Sequence, residues 1–128
     1  MILIDTSGWV EFLRATGSPA DLALQQAMSG DLATCDAIRM ELLAGARDDE
    51  HLVALRRLLA RATQLPTKTQ HYEEAALLYR RARAAGLTVR SLTDCLIAAI
   101  AVDYGTTLLH HDRDFTALAQ VSPLRAPL

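Results

Sequence analysis

The chain has 128 residues, 51% of them hydrophobic and 22% charged, the size and apolar content of one compact domain with a substantial core. Its formal net charge of -2 excludes the strongly basic overall field of many nucleic-acid binders, so any contact with nucleic acid has to come from local groups. No apolar run approaches the roughly 20 residues that span a bilayer, and Met1 leads into ILID without a basic or signal-type segment, so no membrane association and a cytoplasmic location are expected.

Ile2, Leu3 and Ile4, closed by Asp5, form a short continuous apolar run of the kind that makes a central parallel strand. Ser7 is the expected cap of a helix carrying Trp9, Val10, Phe12 and Leu13, which Gly17-Ser18-Pro19 ends. A second helix is expected near Ala20 to Ser29, a second strand over Leu32 to Cys35, and a helix over Ala37 to Ala46 with Asp36 as its cap. Asp48-Asp49-Glu50 then suits the start of a helix over Glu50 to Ala62, and Gln64-Leu65-Pro66 reads as a minimal third strand.

A long helix follows from Thr69 to Ala85, closed by Gly86. The helix over Leu92 to Tyr104 has no polar face along Leu96 to Val102 and must be buried. Thr106 to His110 is the fourth strand, Phe115 to Ala119 a short helix, and Pro123-Leu124-Arg125 a candidate edge strand. Strands alternating with helices predict a single α/β domain over residues 1–128, a three-layer α/β/α sandwich with a short, mostly parallel sheet of four to five strands.

In such a sheet the strand C-termini and the following helix N-termini share one edge, where ligands usually bind. Asp5 directly follows the first strand, Asp112 follows the fourth, and Asp94 lies in the first turn of the buried helix. Glu41 leans back toward the same rim from the helix after the second strand. Each acid also has a structural explanation: Asp94 completes a capping-box pattern with Ser91, Asp5 and Asp112 or Asp114 suit helix caps, and Glu41 suits a solvated face. Together, four clustered carboxylates would repel one another without a cation, and an all-oxygen set suits Mg²⁺, with Mn²⁺ a substitute. His110, His111, Cys35 and Cys95 adjoin this edge and raise the alternative of a mixed zinc site, which the opposite facing of consecutive strand residues disfavours. The default for the two cysteines is a pair of buried thiols.

MILIDTSGWVEF, the Glu41 in IRMELLAGA, SLTDCLIAAIA and LLHHDRDF resemble, in order and spacing, the four motif regions of PIN-domain ribonucleases, specifically the VapC-type toxins of bacterial toxin–antitoxin pairs. The resemblance covers essentially the whole chain. It implies metal-binding and catalytic roles for Asp5, Glu41, Asp94 and Asp112, with Asp114 a supporting acid and Thr6 or Ser7 the hydroxyl after the first aspartate. The chain departs from many relatives in placing His110-His111 before Asp112, so no role is carried over to those two positions.

The implied activity is Mg²⁺-dependent endoribonucleolytic hydrolysis of phosphodiester bonds in structured cellular RNA, with tRNA suggested by family analogy. The implied partners are a cognate antitoxin and a second copy of the chain. Setting aside Asp5, Glu41, Asp94, Asp112 and Asp114 as metal-neutralised leaves ten acids against 13 basic residues, a surface of about +3. Arg80, Arg81, Arg83, Arg90 and Arg113 are the candidate RNA contacts, with a solvated helix face the alternative for the first three. Trp9, Phe12 and the helix over Glu50 to Ala62 are candidate partner surfaces, with core packing the alternative.

A phosphoacceptor signalling domain would need an acidic pair after the first strand and a late lysine, and neither is present: Thr6 follows Asp5, and Lys68 is the only lysine. A catalytically inactive PIN-like protein-binding module is the remaining alternative.

Overall fold

Among the described residues, 1–127 of the computed structural model, four strands alternate with seven helices. The central strand is β1 (Ile2–Ile4), paired in parallel with β2 (Leu32–Cys35) on one side and β4 (Thr107–Leu109) on the other, so Leu3 stands beside both Ala33 and Leu108. The strand β3 (Thr63–Leu65) pairs in parallel with β2 and completes the order β3-β2-β1-β4. Helices α1 (Thr6–Leu13), α2 (Pro19–Ala27), α3 (Asp36–Ala44), α4 (Asp49–Leu59), α5 (Thr69–Ala84), α6 (Leu92–Tyr104) and α7 (Arg113–Gln120) complete a three-layer α/β/α sandwich.

The reason for each position is legible in its residues. All four residues of β2 are buried, whereas only Leu65 is buried in β3, as suits an edge strand. Every residue of α6 from Asp94 to Ala101 is buried, because this helix packs against α5, α7 and α3 and runs into β4. Gly105 ends it with φ 65°, a left-handed conformation that glycine adopts at little cost. Leu3, Ile4, Leu24, Ile97, Ile100 and Phe115 lie fully inside the core, and each such side chain contributes about 2 kcal/mol by leaving water.

Several expectations need correction. Asp5, not Ser7, caps α1, because its carboxylate reaches the N–H of Ser7 while the hydroxyl of Ser7 turns back to Asp5. The third helix begins at Asp36 with Cys35 at the cap position. The segment Pro123-Leu124-Arg125 is not a strand: it follows β4 through one bond, Leu108 N–H to the Arg125 carbonyl at 2.8 Å, and Pro123 has no N–H with which to build a ladder. The sheet therefore has four strands among the described residues, all parallel. Trp9 is fully buried and Phe12 packs edge-on against it, with ring centroids 6.2 Å apart, so Trp9 offers no partner surface. In α4, Leu55 and Leu59 also belong to the core.

Candidate active site

Asp5 is the first residue beyond β1 and is 4% exposed. Its N–H donates to the Leu109 carbonyl at 2.9 Å, tying the end of β1 to the end of β4 and fixing where its side chain starts. One carboxylate oxygen, Oδ2, accepts from both the N–H and the hydroxyl of Ser7; Oδ1 has no hydrogen-bond partner among the described residues. Asp112 is divided in the same way, Oδ1 accepting from the Asp114 N–H at 2.9 Å as the cap of α7.

Asp94 stands in the first turn of α6, its N–H donating to Ser91 Oγ at 3.3 Å. Its carboxylate does not return the bond to Ser91. That part is taken by Asp114, 2% exposed, which accepts the N–H of Arg90 at 3.1 Å and of Ser91 at 3.2 Å, with Arg90 Nε 3.7 Å away. Oxygens of Asp94, Asp112 and Asp114 all lie within 4.8 Å of one another. Asp5, Asp94 and Asp112 also line one cavity of about 360 Å³, together with Glu41. Glu41 is the outermost of the acids, exposed on α3, and accepts the Thr6 hydroxyl at 3.2 Å.

Burial pushes the Asp94 carboxyl from its ordinary 3.8 up to about 9, helped by its hydrogen bond to Asp114 and by the charges of Asp5, Asp112 and Asp114. Burial also raises Asp5, with Asp112 adding to the effect and the Ser7 bonds opposing it. Glu41 is raised by burial and then by Asp5. Asp94 thus resists ionisation at neutral pH. A divalent cation reverses that preference, and the donors fit one: all are oxygens, and Asp5, Asp112 and Glu41 each keep an oxygen that bonds to nothing else among the described residues. Mg²⁺ and Mn²⁺ suit this set.

The zinc alternative finds no support in the side chains. His110 Nδ1 accepts the Asp112 N–H at 3.1 Å, Nε2 faces the Ala126 carbonyl at 3.4 Å, and the ring packs on Phe115. Cys35 and Cys95 are buried thiols that burial pushes up to about 11.

Of the candidate arginines, Arg90 and Arg113 line a groove of about 580 Å³ that shares His111 and Asp112 with the acidic cavity. Arg80, Arg81 and Arg83 line neither; Arg81 bonds Glu74 at 3.2 Å and Arg83 lies over the Tyr79 ring. Two residues with local roles were not singled out from the sequence. Glu11 lines the acidic cavity and faces His111 at 3.6 Å, and its spacing of four from Ser7 along α1 would have disclosed it. Gly8 is the other: a Cβ there would lie 2.8 Å from Leu109 Cδ2 and 3.1 Å from the same carbonyl that holds Asp5, a contact between remote segments that no local pattern announces.

Comparison with known proteins bears on the family and the fold. The pattern described as PIN domain matches residues 2–121. Ribonuclease VapC11 of Mycobacterium tuberculosis is 45% identical over 130 residues, covering 98% of this chain and 97% of that protein. Among solved structures, a toxin–antitoxin complex from Klebsiella pneumoniae superposes with a TM-score of 0.74 at 20% identity, covering 100% of this chain and 98% of the other. VapC20 of Mycobacterium tuberculosis, described as a Sarcin-Ricin loop cleaving toxin, gives 0.70 at 19% identity, with 98% and 99% covered. The two structural likenesses speak for the fold, and the sequence match carries the kinship: the chain belongs to the PIN-domain family, among its VapC-type ribonucleases.

Proposed function

We propose that the chain is a Mg²⁺-dependent endoribonuclease toxin that hydrolyses phosphodiester bonds in structured cellular RNA and is held in check by a cognate antitoxin protein. The observation that carries this reading is the single cavity shared by Asp5, Glu41, Asp94 and Asp112, with Asp94 pushed up to about 9. Helix capping alone accounts for one oxygen of Asp5 and one of Asp112 but gives no reason to bury Asp94 against them. That burden is what a catalytically silent binding module would lack.

In this reading Asp5, Asp94 and Asp112 hold the cation, with Glu41 approaching from α3 and Asp114 supporting from behind. When bound, Mg²⁺ or Mn²⁺ supplies a water of lowered pKa and positive charge against the scissile phosphate. Thr6 orients Glu41, and Ser7 keeps Asp5 in place while bonding the His111 N–H at 2.9 Å, so β1 and the segment after β4 stay in register. Arg90 and Arg113 receive phosphates beside the acids. VapC11 is named a ribonuclease, and VapC20 is described as a Sarcin-Ricin loop cleaving toxin, which supports RNA as the substrate class; tRNA rests on analogy alone. The Klebsiella complex supports an antitoxin partner. A homodimer is also proposed, for which Tyr72, Leu77 and Leu92, at 60%, 49% and 61% exposure, are better placed than Trp9.

The test is incubation of the protein with total bacterial RNA, with and without Mg²⁺, followed by mapping of new 5′ ends. Discrete ends that depend on Mg²⁺ are the expected result; intact RNA under both conditions, or cleavage indifferent to chelation, would count against the proposal.

A further inference from the structure

Next to the acidic cavity lies another of about 430 Å³, framed by α1, α3 and the start of α4. The two share Thr6, Val10 and Glu41, so they form one trough. The floor of this second cavity is aliphatic: Leu42 and Leu55 are buried, Val10 is half-buried, and Leu13 is 45% exposed. Its rim is cationic, with Arg14 and Arg47 both exposed and neither in an ion pair among the described residues. His51 lies between rim and floor in a fixed setting: Nδ1 accepts the Arg47 N–H at 3.0 Å and the His51 N–H donates to Asp48 at 2.8 Å, which leaves Nε2 as the donor. The space falls within the range of about 300 to 1,000 Å³ typical of small-ligand sites.

Charge runs along the trough in a definite order. Arg90 and Arg113 lie at one end, the acids at the centre, and Arg14 and Arg47 at the other end. A polyanion whose middle phosphate is served by a cation among the acids has its flanking phosphates opposite those two pairs of arginines. We propose that the second cavity is a nucleotide subsite for the RNA substrate. A nucleotide beside the scissile bond lays its base on Val10, Leu13, Leu42 and Leu55, offers a base-edge acceptor to His51 Nε2, and gives its phosphate to Arg14 and Arg47. This inference rests on the endoribonuclease reading and deepens it, because it locates where sequence preference at the cleavage site arises.

Two substitutions test it in the full-length protein. Arg47→Ala removes an exposed side chain and leaves its backbone bond to His51 intact. Gly45→Leu adds bulk at the cavity wall where φ is -84° and a Cβ meets nothing closer than the Leu42 carbonyl at 3.5 Å. Melting temperatures equal to wild type establish that both fold. Total bacterial RNA with Mg²⁺ is the probe, and new 5′ ends are mapped and their rates followed against RNA and salt concentration.

For Arg47→Ala the expected result is about a fivefold to tenfold higher half-saturating RNA concentration and a salt slope shallower by about one. For Gly45→Leu it is a changed base preference at one position flanking the cleaved bond. Wild-type saturation, slope and flanking-base profile in both variants would overturn the subsite, and would be the outcome if the cavity receives a protein segment instead. Intact RNA with the wild-type protein is a separate result, which brings down the endoribonuclease reading and this inference with it.

Discussion

Asp114 takes the place that Asp94 would occupy in a complete capping box: it is the carboxylate of Asp114 that receives the Ser91 N–H at 3.2 Å, while Asp94 receives none of the helix-start donors. Asp94 is thereby released from capping and left against Asp114, Asp112 and Asp5 in a buried site. A local duty and a chemical duty are thus divided between two acids that are 20 residues apart.

Asp94→Asn should lower RNA cleavage by roughly 100-fold or more, since it removes a carboxylate from the proposed cation site. It should also steady the metal-free fold. The folded-state pKa of Asp94 is raised from 3.8 to about 9, so the folded protein binds the extra proton and the stability that goes with it is full below 3.8 and lost as pH rises toward 9. Metal-free wild type is therefore expected to melt higher at pH 5 than at pH 8.5. The Asn variant should show a flatter profile, flattened only in part because Asp5 and Glu41 are raised as well. Thermal melts across that range check this, and an unaltered pH profile would contradict the burial argument.

Mg²⁺ should restore what high pH takes away. A cation and a proton compete for the same oxygens, so added Mg²⁺ should raise the melting temperature more at pH 8 than at pH 5. At about 100 times the dissociation constant the gain is roughly 2.7 kcal/mol. Equal shifts at the two pH values would mean that the ion binds elsewhere.

Asp114→Ala should destabilise the protein by about 2 kcal/mol, because the N–H groups of Arg90 and Ser91 at the start of α6 lose the carboxylate that accepts from both. Asp114→Asn keeps one acceptor oxygen and should cost less. Urea unfolding distinguishes them; a stable Asp114→Ala protein would reduce this acid to a cation ligand only.

Gly8→Ala should cost about 1 to 3 kcal/mol, since its Cβ would press on Leu109 at 2.8 and 3.1 Å. Because the Leu109 carbonyl accepts from Asp5, activity should fall along with stability. A variant that loses stability without losing turnover would show that Asp5 is held mainly by Ser7.

Arg90→Ala and Arg113→Ala should each make the salt dependence of RNA cleavage shallower by about one, whereas Arg81→Ala should leave it unchanged, its guanidinium being engaged with Glu74 and the Val121 carbonyl. Rate measurements over a salt series decide the matter.

What the sequence determined by itself was the four strands and seven helices, though it also offered a strand at Pro123-Leu124-Arg125 that does not form, and the edge of the sheet where the acids gather. Ile2–Ile4 and the Leu96 to Val102 stretch of α6 are apolar on every side, and such segments have only the interior of a parallel sheet and its covering layer to occupy. Once the strands are parallel, residues just past β1 and β4 meet at one rim by geometry alone. Tertiary structure decided the division of labour within that rim. Whether Asp94 or Asp114 closes the helix cap, whether Glu11 faces the cavity, and why position 8 is crowded against Leu109 all depend on approaches between segments remote in sequence, such as Gly8 to Leu109 and Asp114 to Ser91. Local patterning encodes which face of an element is apolar; it carries no record of the few tenths of an ångström by which one segment meets another, and those distances assign each carboxylate its work.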